Sequence, residues 1–193
     1  SLMPDATILA LGRRRSGKSW LIRDILYHHR HIPAGVVFSG TEAVSPFFSD
    51  FIPDSFIHTE YKPELIEDMM ARQKKKIREA KENGVKDGKM ASNNRFVILD
   101  DLQHDAQTWK KDTTIKTIFF NGRHYNYLFI LTLQYLMGIT PELRSNLDYV
   151  FLFYEPSLKN KRKIYEDYAQ GWKITIETVQ RAEREIRKKS KAK

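Results

Sequence analysis

Thr7-Ile8-Leu9-Ala10-Leu11-Gly12-Arg13-Arg14-Arg15-Ser16-Gly17-Lys18-Ser19-Trp20 is the stretch on which the fold turns. Its first five residues are an apolar run of strand type. The next eight complete a G-x-x-x-x-G-K-S octet. Leu21, Ile22, Ile25 and Leu26 then follow at helical spacing. Strand, glycine loop and helix in that order predict a phosphate-binding loop, because the glycines let backbone N–H groups curl around a phosphate at a helix N-terminus. Lys18 is expected to reach the β- and γ-phosphates of a nucleoside triphosphate, and the Ser19 hydroxyl to ligate Mg²⁺. Positions Gly12 to Trp20 are therefore expected at the nucleotide.

A second apolar run, Arg95-Phe96-Val97-Ile98-Leu99-Asp100-Asp101, ends in two carboxylates. Lack of alternation suits a central parallel strand covered on both faces, and ligands bind at the C-terminal ends of such strands. Asp100 is expected to hold Mg²⁺ through water and Asp101 to polarise the attacking water. For Asp101, capping of the following turn is the competing role. A third run, Tyr127 to Leu133, ends in Gln134, whose amide either contacts the γ-phosphate and orients the water or serves a neighbouring loop.

Outward from these runs, strands and helices alternate. Strands are expected at 7–11, 34–39, 56–58, 95–100, 127–134 and 149–154. Helices are expected at 18–29, at 64–83 behind Pro63 and ahead of Gly84, at 113–121, and over 157–168 and 174–189. A short turn is expected at 141–144. This alternation predicts an α/β fold with a mostly parallel central sheet flanked by helices; joined to the phosphate loop, it resembles an ASCE/RecA-like P-loop NTPase. At 193 residues the chain reads as one such domain, with a basic helical insertion at 62–94 and a basic helical C-terminal segment at 157–193. Ser1-Leu2 ahead of Met3 reads as a cloning remnant outside the fold. No run is long enough to span a bilayer, no secretion signal is evident, and the absence of cysteine excludes disulfide and thiolate chemistry.

Charge is uneven. Of a formal +9, residues 159–193 carry twelve Lys/Arg against five Asp/Glu, and a second cluster, Arg72 to Arg78, lies within the long helix. Such stripes meet phosphate backbones, or else form solvated faces laced with i,i+4 pairs. Together with the nucleotide motifs they favour nucleic acid as partner.

The G-x-R-x-S-G-K-S loop, the strand ending in Asp-Asp, Gly122-Arg123-His124 before the strand ending in Gln134, and Leu143-Arg144-Ser145-Asn146-Leu147-Asp148 after it form an ordered set. That set resembles the DNA-packaging ATPases of large eukaryotic double-stranded DNA viruses, in the FtsK–HerA division of P-loop motors. The resemblance spans roughly residues 8–168. It implies a homo-oligomeric ring that hydrolyses ATP with Mg²⁺ and drives double-stranded viral DNA into a preformed capsid, touching capsid or portal-vertex proteins. Assembly sites in the host cytoplasm, and the virion, are the implied location. Members of that family continue past the point where this chain stops, which implies a further C-terminal segment.

Phosphoryl transfer profits from positive charge beyond Lys18 and Mg²⁺, and in ring ATPases a neighbouring subunit's arginine supplies it. Arg123 and Arg144 both fit, with a structural ion pair as the alternative for either, Arg144 with Asp148 for instance. The side chains of Arg13, Arg14 and Arg15 are free to meet phosphates, a neighbouring subunit, DNA or solvent. His28-His29-Arg30-His31 reads as a helix end favoured by positive charge, and Trp20, Trp109 and Trp172 read as packing residues. A GTPase is disfavoured by the lack of N-K-x-D. The alternatives that remain are a cellular or plasmid translocase of the same division, a nucleoside or nucleotide kinase, and a DNA-binding protein that holds ATP without turnover.

Overall fold

A computed structural model describes residues 2–86, 94–102, 106–134 and 139–169. Six strands form one all-parallel sheet: β1 (Thr7–Leu11), β2 (Ala34–Ser39), β3 (Ile57–His58), β4 (Arg95–Asp100), β5 (Tyr127–Leu133) and β6 (Tyr149–Leu152), in the order β3-β2-β4-β5-β1-β6. Every residue of β1 and β5 is buried, as continuous apolar runs require in a sheet covered on both faces. β5 pairs with β1 on one side (Ile8 opposite Ile130) and with β4 on the other (Ile98 opposite Ile130).

Side chains alternate between the two faces. Ile8, Ile98 and Ile130 share one core cluster with Ile22 and Ile25 of helix α1 (Lys18–His28), and with Phe48 and Ile52 from the loop after β2. Leu2, expected outside the fold, packs against this cluster. The opposite face carries Phe129, against which Phe119 sits edge-on at 4.9 Å.

Helix α2 (Pro63–Glu82) starts with Pro at its first position and buries Ile66, Met70, Gln73, Ile77 and Ala80 along one stripe; beyond it Gly84 adopts φ +81°, a left-handed conformation suited to glycine. A one-turn helix, α3 (Ala106–Trp109), precedes α4 (Thr113–Asn121). Asp112 caps α4 by accepting from the N–H groups of Thr114 and Ile115, and itself accepts the Tyr61 hydroxyl at 2.6 Å. Helix α5 (Pro141–Arg144) is capped by Thr140.

The short strand begins at Ile57 rather than at residue 56, because residues Asp54–Phe56 close a 3₁₀ turn. Trp109 is buried and donates to the Leu102 carbonyl at 3.1 Å, as a packing residue should. Trp20 is not a core residue: it is 58% exposed, its ring edge-on to Phe47 and beneath the Arg23 guanidinium at 3.9 Å. Trp172 and the helix expected at 174–189 lie outside the described residues.

The chain divides into two compact units, the second beginning at Tyr154. Within that second unit Ser157 caps α6 (Leu158–Ile164), which passes into a single π turn at Tyr165–Ala169. No helix among the described residues is long and apolar enough to cross a membrane.

Candidate functional site

Parallel pairing brings the C-terminal ends of β1, β4 and β5 to one edge, and β5 separates the other two. The loop leaving β1 is held to that edge by the Gly12 N–H, which donates to the Leu133 carbonyl at 3.0 Å. Gly12 has no room for a side chain, since an added Cβ would lie 2.5 Å from the Phe153 Cβ and 2.8 Å from the Ser16 hydroxyl. Gly17, at φ +98°, turns the chain into α1. Arg15 also adopts a left-handed conformation, φ +58°, uncommon for a side chain of this kind and concentrated at functional loops. The side chains of Arg13, Arg14 and Arg15 all face solvent.

Lys18 is 7% exposed, and its Nζ donates to the carbonyls of Gly12 at 2.7 Å and Arg13 at 2.9 Å. Burial pulls its pKa down, and the neighbouring carboxylates of Asp100 and Asp101 oppose that shift. The Ser16 hydroxyl is buried inside the loop with no hydrogen-bond partner. An orphaned donor enclosed by a glycine loop fits an anion such as a phosphate, so the residues suit the triphosphate that the motif implies.

Across the edge, Asp100 is 4% exposed. Its Oδ2 accepts the Ser19 hydroxyl at 3.4 Å and its Oδ1 accepts the Thr132 hydroxyl at 2.6 Å. Desolvation raises its pKa; the bonds from Thr132 and Ser19 and the charge of Lys18 work against that rise. A buried carboxylate beside a serine hydroxyl and a lysine is a hard oxygen donor set of the sort Mg²⁺ takes.

Asp101 stands at φ +52°, in the left-handed region that Asp tolerates better than most side chains. Its N–H donates to the Thr132 hydroxyl at 3.1 Å, and its Oδ1 accepts from the Gln134 amide. The strand ends thus form one chain of contacts, Ser19–Asp100–Thr132–Asp101–Gln134. Thr132 was absent from the expected set, although two signals point to it. It lies two residues before Gln134, and the β4–β5 register, which pairs Leu99 with Leu131, continues one step to the Thr132–Asp100 contact.

The two candidate arginines lie elsewhere. Arg123 Nη2 pairs with Asp148 Oδ1 at 3.1 Å, and Asp148 Oδ2 accepts the Thr7 N–H at 2.8 Å. Thr7 begins β1, so this cluster sits at the N-terminal edge of the sheet, opposite the phosphate loop. The short helix after β4 and the turn before β5 bring Arg123 to the start of β6, where it pairs with Asp148. Arg144 ends α5, four residues before Asp148.

His29 terminates α1 as a buried residue, and burial, with His31 and His28 adding, lowers its pKa. It closes the helix as a neutral ring rather than as a positive charge. Among the described residues no group of three or more His, Cys, Asp and Glu is placed to hold a metal.

A family model described as Poxvirus A32 protein matches residues 4–162. An uncharacterised protein of Acanthamoeba polyphaga mimivirus is 39% identical over 165 residues, 86% of this chain and 58% of its own length. An uncharacterised protein of Frog virus 3 (isolate Goorha) is 36% identical over 163 residues, 84% of this chain and 48% of its own. The chain thus spans about half the length of these relatives. Among solved structures, the genome packaging NTPase of Sulfolobus turreted icosahedral virus 2 in complex with ATP-gammaS superposes with a TM-score of 0.57 at 19% identity, covering 88% of this chain and 84% of that one. The cytoplasmic domain of EssC gives 0.62 at 18% identity, over 83% of this chain and 35% of that one. At such identities the likeness shows the fold, an α/β P-loop NTPase.

Proposed function

The chain belongs to the Poxvirus A32 protein family, and from that membership and the geometry of its strand ends we propose that it is the ATPase core of a viral DNA-packaging motor. Carrying this proposal is the contact chain that joins Ser19, Asp100, Thr132, Asp101 and Gln134 next to Lys18. Binding alone needs only the loop. A second carboxylate, fixed by its backbone N–H and by an amide from the adjacent strand, is what hydrolysis adds.

Bound ATP–Mg²⁺ supplies the transferable phosphoryl group and the neutralising charge of the metal. Loop N–H groups and the Ser16 hydroxyl bind phosphate oxygens. Lys18 exchanges the Gly12 and Arg13 carbonyls for phosphate, which restores the charge partner that burial denies it. Ser19 and Asp100 would hold the metal, and Asp101 would accept the proton of the attacking water, oriented by Gln134. Trp20, exposed on the first turn of α1, flanks the nucleotide. Positive charge for the transition state comes from the next subunit of a homo-oligomeric ring, through Arg123 or Arg144, since Arg123 lies at the far edge of its own sheet.

Double-stranded DNA, capsid or portal-vertex proteins and the infected cell's cytoplasmic assembly sites follow from the family as partners and place of action. The chain acts as one P-loop domain. The basic stretches 62–94 and 157–193 are its additions, offered to phosphate backbones.

The test is the steady-state ATP hydrolysis rate at several protein concentrations, with and without Mg²⁺ and long double-stranded DNA. A Mg²⁺-dependent rate per subunit that climbs with concentration and with DNA supports the motor. A flat, DNA-insensitive rate, or phosphate transfer to a nucleoside acceptor, overturns it.

A further inference from the structure

Beneath the C-terminal half of α1 lies a cavity of about 630 Å³, within the roughly 300–1,000 Å³ typical of ligand pockets. It opens at the N-terminal edge of the sheet, since Phe96 near the start of β4 and Ile32 just before β2 both line it; the phosphate loop is at the other edge. Leu26, Ile52 and Phe56 complete an apolar lining.

Between these apolar side chains and the charged mouth lies a buried histidine. His29 is 5% exposed, and both its ring nitrogens lack any hydrogen-bond partner. A neutral imidazole offers one N–H donor and one acceptor, and both are unmet here. The ring lines the cavity while both nitrogens are buried from solvent. At the mouth stand Arg23 and Arg30, each stacked on an aromatic ring of its own helix, Trp20 at 3.9 Å and Tyr27 at 4.9 Å. Among the described residues neither guanidinium has a carboxylate partner within salt-bridge distance, and Asp24 is the single acidic residue of the lining. Tyr27 and Phe51 are exposed beside the opening. Aromatic and arginine side chains around an apolar pocket are the composition of a binding hot spot.

We propose that this cavity is a docking pocket for a short segment of a partner protein, one that presents a large apolar side chain next to carboxylates. The apolar side chain fills the cavity and packs on the His29 ring; the carboxylates meet Arg23 and Arg30. Charge complementarity selects the occupant, because two stacked arginines preorganised at an apolar mouth favour an acidic segment over a basic one.

The experiment is fluorescence anisotropy of the full chain with a labelled peptide EEWLE and its counterpart KKWLK. Saturable binding of EEWLE is expected, with KKWLK at least roughly tenfold weaker. Arg30→Glu should weaken EEWLE by a similar factor, and His29→Leu, which keeps the cavity apolar and the fold intact by circular dichroism, by a few-fold. Basal ATP hydrolysis of both variants should be unchanged, so failure here is distinct from failure of the ATPase proposal. Absence of saturable binding, or affinity untouched by both substitutions, overturns the pocket. Displacement by double-stranded DNA as effective as by unlabelled peptide assigns the arginines to phosphate and overturns it equally.

Discussion

The Thr132 hydroxyl donates to Oδ1 of Asp100 at 2.6 Å while it accepts the N–H of Asp101 at 3.1 Å, so one side chain from β5 fixes two successive residues at the end of β4. A hydroxyl can do both at once; a methyl can do neither. Thr132→Val keeps shape and strands both partners. Turnover is expected to fall at least tenfold and the fold to lose about 1–3 kcal/mol. Thr132→Ser should recover most of each. Hydrolysis rates and urea unfolding of the two variants check this, and equal turnover in both would remove Thr132 from the site.

Asp101→Asn preserves the contact with Gln134 in shape but removes the proton acceptor. ATP affinity is expected to stay within a few-fold, whereas turnover drops by roughly 10²–10⁴, the usual worth of a general base. Fluorescent-nucleotide binding beside single-turnover hydrolysis separates the two. An unchanged rate would leave Asp101 the turn-capping role.

The Arg123–Asp148 pair is mostly open to solvent on the arginine side, so as a structural pair it is worth only about 0.2–1 kcal/mol. Arg123→Ala should therefore leave the unfolding midpoint nearly unmoved. If the arginine acts on a neighbouring subunit, the variant loses turnover, and mixing it with Lys18→Ala restores part of it. No recovery at any ratio, with Arg144→Ala behaving differently, moves the role to Arg144.

His29 and His58 both titrate below the ordinary histidine value of 6.5, chiefly through burial. A depressed folded-state pKa means that the unfolded chain takes up the proton first, so stability is full above about 6.5 and is lost as pH falls toward the lowered values. Urea midpoints measured from pH 7.5 downward should decline through that window. His29→Gln should flatten the decline, and a midpoint that rises on acidification would contradict it.

The central strands, α1 and α2 were legible because each carries a local signal: continuous apolar runs for the buried parallel strands, helical spacing behind the glycine loop for α1, and Pro63 and Gly84 as start and stop for α2. The phosphate loop was legible because its glycines are needed at fixed offsets. What escaped depends on contacts between distant segments. Thr132 reads as one more β-branched residue of an apolar strand until the register sets it beside Asp100. Nothing local in the sequence pairs Arg123 with Asp148; the path of the chain from α4 into β5 brings them together. Trp20 is large and apolar, yet Leu21, Ile22 and Ile25 take the inward positions of α1 and leave it outside. His29 carries the composition of a charged helix end, but burial, with His31 and His28 adding, lowers its pKa.

The position of β5 has a mechanical consequence. It is laced by hydrogen bonds to β1 along one side and to β4 along the other, five register pairs each. Loop, carboxylates and Gln134 are therefore mounted on a single stiff plate, and none can slide against another without tearing a ladder. A machine with such a plate at its heart cannot generate a stroke by flexing there. In the ring motor proposed above, travel would then appear as rotation of whole plates about the joints between subunits, with force carried through those joints while the chemistry stays geometrically still.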